Sequence, residues 1–182
     1  VHVVEIPNTS KVQGNANFGT VTAASAYYDN VATTTTAVSR TAWSIETTRD
    51  LFIQSGAAVT LAGGGVMFHN NSHWIKCTSG SGYLTSGRAD GELYLVACGG
   101  QTDYRVNNVI IRDNGTTPVK VIRDGPDHLR LDATNTYTGG TIVNRGRLAA
   151  GSFGSLGTGP VTVRGYDVAQ AYLVAASTYS NN

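Results

Sequence analysis

Residues 131–163 begin Leu131-Asp132-Ala133-Thr134 and continue through Asn135-Thr136-Tyr137-Thr138-Gly139-Gly140-Thr141-Ile142-Val143. They go on to Gly146-Arg147-Leu148, then Ser155-Leu156-Gly157-Thr158-Gly159-Pro160, and close on Val161-Thr162-Val163. Each apolar run is only a few residues long and is punctuated by glycine. β-Branched residues suit a pleated surface, while Gly and Asn accept the dihedrals of tight corners. Almost no eleven-residue window carries a 3.6-residue apolar stripe uninterrupted by Gly or β-branched runs, so strands are expected here and helices are not.

The same grain runs upstream. Candidate strands are Val1–Ile6, Leu51–Gln54, Val59–Ala62, Val66–His69, Trp74–Thr78, Leu93–Ala97, Val106–Arg112, Val119–Arg123, Leu129–Leu131, Thr141–Val143, Arg147–Ala149, Val161–Val163 and Tyr172–Ala175. Turn sequences such as Gly63-Gly64-Gly65, Gly99-Gly100 and Asp124-Gly125-Pro126 separate them. Short strands at even spacing fit a sandwich, a barrel or a solenoid. Reuse of one element, Val109-Ile110-Ile111-Arg112-Asp113 followed by Val121-Ile122-Arg123-Asp124, favours the solenoid. A turn of about 20 to 25 residues is the grain of a parallel β-helix, whose coils must stack to bury their inner faces.

Composition narrows the function classes. The 182 residues carry 13 Lys plus Arg against 12 Asp plus Glu, a formal charge of +1. Phosphate binding needs a basic excess gathered on one face, and Lys11, Lys76 and Lys120 are scattered, so nucleic acid is not an expected partner. No run approaches the roughly 20 apolar residues of a membrane span, so membrane insertion is not expected. Charged residues are only 14% and glycines number 22, with abundant Thr and Asn, which resembles an exported protein more than a cytosolic enzyme. Starting at Val1, the chain is either a processed protein or an excised segment.

The stretch 131–163 resembles the autotransporter-associated β-strand repeat. That family's Asn-Thr-Tyr-Thr-Gly-Gly-Thr signature falls on Asn135, Thr136, Tyr137, Thr138, Gly139, Gly140 and Thr141. Its Gly-x-Leu strand, Leu-Gly turn and closing Val-x-Val strand follow in order. The resemblance implies an all-β fold, a right-handed parallel β-helix, exported to the cell surface or beyond, of the kind that forms passenger stalks. It does not imply catalysis, and no cofactor is expected. Two features depart from it: Asp127-His128 stands where a small Gly-Thr-type pair is usual, and the chain is too short to contain a translocator barrel.

Several side chains invite a chemical reading. Cys77 and Cys98 are 21 positions apart, close to one turn of such a coil, so they pair as a disulfide or line the core as thiols. His69 and His73 stand about 13 Å apart in extended chain, which favours loop histidines over metal ligands. Trp74 beside them is a core or assembly anchor, or one wall of a sugar site. A polysaccharide-cleaving β-helix would need converging carboxylates, for which Asp103, Asp113, Asp124, Asp127 and Asp132 are the candidates, with Arg105, Arg112, Arg123 and Arg130 nearby. Turn formation explains Asp113 and Asp124, and the arginines fit outward strand ends that pair with aspartates on neighbouring rungs. Gly151–Gly157 lacks the Lys-Ser/Thr of a phosphate loop and reads as a corner. Gly87-Arg88-Ala89-Asp90-Gly91 reads as a turn, and Asn8, Asn70 and Asn114 begin glycosylation sequons.

Residues 1–50 show little rung-like punctuation and are expected to form a cap or a strand-exchange segment, with 51–182 forming the β-helix. The strand Tyr172-Leu173-Val174 has no polar cap after it. The expected function is therefore an extracellular structural β-helix that assembles with itself into a surface layer, sheath, matrix or filament. The expected contacts are Val1, Val3, Val4 and Ile6 at one end and Tyr172, Leu173 and Val174 at the other. The alternatives are a polysaccharide-binding or polysaccharide-cleaving β-helix and an adhesive passenger fragment.

Overall fold

A computed structural model of the chain describes residues 11–13, 26–29, 34–70, 72–100, 103–165 and 171–175. Among them are strands and no helix. In chain order the strands are β1 (Lys11–Gln13), β2 (Ala26–Asp29), β3 (Thr34–Thr36), β4 (Arg40–Thr47), β5 (Leu51–Ile53) and β6 (Ala58–His69). They continue with β7 (Trp74–Lys76), β8 (Gly82–Ser86), β9 (Glu92–Cys98), β10 (Tyr104–Asn107), β11 (Val109–Ile111) and β12 (Lys120–Asp124). The last are β13 (His128–Leu131), β14 (Thr141–Val143), β15 (Gly146–Ala150), β16 (Val161–Val163) and β17 (Ala171–Ala175).

Two parallel sheets take up successive strands. One runs β1-β2-β4-β6-β9-β12-β14-β16, and the other runs β3-β5-β7-β10-β13-β15-β17. A third line joins the first half of β6 to β8 and β8 to β11. Between its ends each of the two sheets thus pairs a strand with the one a circuit earlier and the one a circuit later, with β6 pairing in addition with β8 and β11 with β8 alone. The circuit is not constant: twenty residues separate Thr141 from its partner Val161, and twenty-eight separate Glu92 from Lys120.

Period-two alternation explains which side chains go inside. In the first sheet, Ile45, Val66, Leu95, Arg123, Val143 and Val163 are successive partners on the inward side. In the second, Leu51, Ile75, Val106 and Leu131 form the matching column. These aliphatic positions are essentially closed to solvent as far as Val143, each worth about 1.5–3 kcal/mol of burial.

Glycine sets one of the corners. Gly63, Gly64 and Gly65, expected to be a turn between strands, lie inside β6. There the chain leaves β8 and joins β9. Gly64 has φ +70°, and a Cβ on Gly63 would stand 2.8 Å from the Trp43 ring, so bulkier residues would break the bend.

The structure revises other expectations. Val106–Arg112 is two strands, because Asn108 turns the chain at φ +52° and its Nδ2 donates to Cys77 O at 3.3 Å. β8 and the strands before residue 50 were missed, since their Thr, Ser, Tyr and Ala content carries little apolar alternation. β4 pairs with β6 and β3 with β5, so pairing runs across residue 50 without a break. Val1, Val3, Val4 and Ile6 lie outside the described residues.

Candidate functional site

The seven signature residues form one junction between circuits. Asn135 is buried, and its side chain behaves as an extra peptide group. Its Oδ1 accepts the N–H of Ile111 at 2.7 Å, and its Nδ2 donates to Ser155 O at 2.5 Å. Its own N–H donates to Gly154 O at 3.0 Å. Tyr137 is fully buried with its hydroxyl 2.6 Å from Thr141 Oγ1, which in turn donates to Leu156 O at 3.1 Å. Burial drives the Tyr137 phenol well above its usual range. Gly139 lets the chain pass close to the previous circuit, where a Cβ would stand 2.5 Å from Val119 O.

Asp113 locks the same junction from outside. Its Oδ1 accepts from the N–H groups of Val119 (2.7 Å) and Thr138 (2.9 Å), and its Oδ2 from Thr138 Oγ1 at 2.8 Å. Burial pushes this carboxyl up, but the hydrogen bonds outweigh it and hold the pKa below the ordinary value.

The other candidate carboxylates are spread over the surface rather than gathered. Asp103 receives Arg105 Nε at 2.5 Å, and Asp132 receives Arg130 Nε. Asp124 accepts from Gly125 N at 2.7 Å, and Asp127 from Gly100 N at 2.9 Å. The Arg–Asp pairs therefore form at i and i+2, between a strand arginine and an aspartate just outside the same strand, and not across neighbouring circuits. In the turn between β8 and β9, Arg88 and Asp90 make the same i, i+2 contact with two bonds of 2.8 and 2.5 Å, and the Arg88 hydrogen bond lowers the Asp90 carboxyl to about 2. Arg112 stands over the Tyr83 ring at 4.1 Å.

Arg123 departs most from expectation. It points inward, fully buried, in the column between Leu95 and Val143. Its Nη2 donates to Asp127 O, while Nε and Nη1 have no partner among the described residues. Burial lowers its pKa to about 10 in spite of Asp124, Asp127 and Cys98.

The cysteines are both free. Cys77 follows β7 in one sheet, its thiol donating to Ser79 O at 3.2 Å, and Cys98 ends β9 in the other. The 21-residue spacing does not stack them, because Lys76, one place before Cys77, pairs with Asn107, thirty-one residues on. Cys98 is instead the register partner of His69. Burial raises its thiol pKa, helped by Asp127 and Glu46, which disfavours a nucleophilic thiolate. His69 Nδ1 lies 3.7 Å from Glu46 Oε1, and His73, on the approach to β7, lies 3.9 Å from Asp50 Oδ1. No group of three metal-ligating side chains occurs among the described residues.

The aromatic cluster around Trp74 was only half legible. On the outer face of the second sheet, Lys76 Nζ lies 4.6 Å from the Phe52 ring and 5.0 Å from that of Trp74. It pairs with Asp50 Oδ2 at 2.5 Å, while Asp50 Oδ1 accepts from Trp74 N at 2.9 Å. Arg105 stands over Trp74 at 4.7 Å. Beside this cluster a shallow hollow of about 220 Å³ is lined by Thr35, Phe52, Ile53, Gln54 and Thr78. Twenty-four to twenty-six residues separate Asp50 from its partners, beyond any local motif.

At the outermost described circuit, inward positions open to solvent. Val161 is 41%, Val163 47% and Leu173 41% exposed, although their partners Thr141, Val143 and Leu148 are buried. No family model, curated protein or solved structure matches this chain.

Proposed function

We propose that the chain is a right-handed parallel β-helix acting as an extracellular structural element, one that adds to copies of itself in a surface layer, sheath, matrix or filament. The observation that carries this reading is the exposure of Val161, Val163 and Leu173 at positions that are core one circuit earlier. Among the described residues both sheets end at this exposed inner rung, which offers a template for another parallel rung. Because the named strands among the described residues all pair in parallel, copies would add head to tail, and a two-fold contact would reverse the strand direction. The resemblance of residues 131–163 to an exported repeat family supports the cell-surface setting.

The test is electron microscopy of the purified chain over a range of concentrations, alongside Val163→Lys. Filaments or sheets in the parent and single particles in the variant are expected. Single particles from the parent at every concentration would overturn self-assembly.

A further inference from the structure

We propose that the hollow beside Phe52 is a binding site for one sugar ring of a neutral polysaccharide. The hollow lies on the outer face of the second sheet at its β3 end, opposite the exposed β16 and β17 rung on which self-assembly is argued.

Three circuits contribute to it: Thr35 from the first, Phe52, Ile53 and Gln54 from the next, and Thr78 from the one after. Strands stand about 4.8 Å apart, so the site runs roughly 10 Å along the stacking direction. Phe52 is the outward residue of β5, with Leu51 and Ile53 turned into the core on either side. Its ring is therefore held by a rigid strand. Thr35, Gln54 and Thr78 are solvent-exposed and bring two hydroxyls and an amide around it. Gln54 is fixed at the backbone by its N–H bond to Thr36 O at 2.9 Å.

This combination selects a ligand that is apolar on one face and hydroxylated at its rim. A sugar ring is such a ligand: its C–H face packs on an aromatic ring, and its hydroxyls exchange hydrogen bonds with amides and hydroxyls. Charge argues for a neutral one. Lys76, which stands over Phe52, is already paired with Asp50, and no lining residue is charged, so nothing in the hollow rewards a phosphate or a uronate. The volume, about 220 Å³, lies below the roughly 300–1,000 Å³ of a pocket that encloses a small molecule, as suits one unit of a longer chain that continues into solvent. Lys76 and Arg105 both stand over the Trp74 ring, whereas Lys76 alone stands over that of Phe52, at 4.6 Å, so the sugar would take the Phe52 face turned away from Lys76.

The experiment titrates the full chain with cellohexaose, laminarihexaose and mannohexaose, with oligogalacturonate as the charged control, and follows backbone amide chemical shifts. Saturable shifts at Gln54 and Thr78 with at least one neutral hexasaccharide are expected, and Phe52→Ala should weaken binding by about tenfold or more. Gln54→Ala, at an exposed position, should weaken it severalfold while leaving the thermal midpoint unchanged, which guards against misreading a folding defect in Phe52→Ala. Absence of saturable shifts with all three neutral probes would overturn the proposal. So would affinity that neither variant changes, or tighter binding of oligogalacturonate. Particle morphology by electron microscopy is read separately, so either proposal can fail without the other.

Discussion

The side-chain carbonyl of Asn135 accepts the main-chain N–H of Ile111 across one circuit at 2.7 Å, while the amide of the same side chain reaches forward to Ser155 O. One buried residue thereby bonds to the circuit before it and to the chain beyond it, at a corner where the strand ladder is interrupted.

Asn135→Ala would leave the Ile111 N–H and the Ser155 carbonyl without these partners. An expected loss of about 2–4 kcal/mol follows from the cost of unmade buried hydrogen bonds. Urea unfolding followed by circular dichroism measures it, and a loss below about 0.5 kcal/mol would show that water replaces the amide at no cost.

Arg123→Met should leave stability at pH 7 unchanged or raise it, by up to about 1–4 kcal/mol, because an apolar side chain suits the column between Leu95 and Val143 and carries no unpaired donors. The folded pKa of Arg123 is depressed to about 10, so its charge costs stability at neutral pH. That cost is relieved as pH rises from about 10 toward the unfolded value, and the variant should lack this contribution. Marked destabilisation of Arg123→Met would mean that the Asp127 carbonyl contact matters more than burial.

Asp113 has a lowered folded pKa, so its contribution is present above the ordinary carboxyl value and fades as pH falls through the folded one. Thermal midpoints of the parent and Asp113→Asn should therefore differ at pH 7 and converge toward pH 2. A gap that stays constant over this range would assign the effect to hydrogen-bond geometry rather than to charge.

With Cys77 and Cys98 in different sheets, reductant should change neither the mass nor the thermal midpoint. A thiol reagent should modify Cys98 slowly, since its thiolate is disfavoured, and buried Cys77 more slowly still, with both reacting at once in denaturant. A mass increase on reduction would contradict the placement of the two residues.

What the sequence revealed followed from local patterning. The runs Thr141–Val143 and Val161–Val163 were legible because glycines bracket them, and the glycine corners 139–140 could be placed for the same reason. β8 and β4 were not, because their side chains are mostly small or hydroxylated and the circuit through them has no fixed length. Arg123 was misjudged for a related reason: alternation within Lys120–Asp124 puts it on the same side as Val121, but charge alone suggested the surface. Phe52, Lys76 and Asp50 could not be linked at all without knowing that β5 and β7 are neighbours.

The uneven circuit length has a mechanical consequence. Strands bond only to strands of the adjoining circuits, so a pull applied along the stack would peel off one circuit at a time instead of shearing all of them together. Each rupture would release the chain of a single circuit, and at about 3.3–3.6 Å per extended residue that is roughly 70 Å for the step from Thr141 to Val161 and roughly 95 Å for that from Glu92 to Lys120. A force trace would show teeth of unequal width, in the order of the circuits.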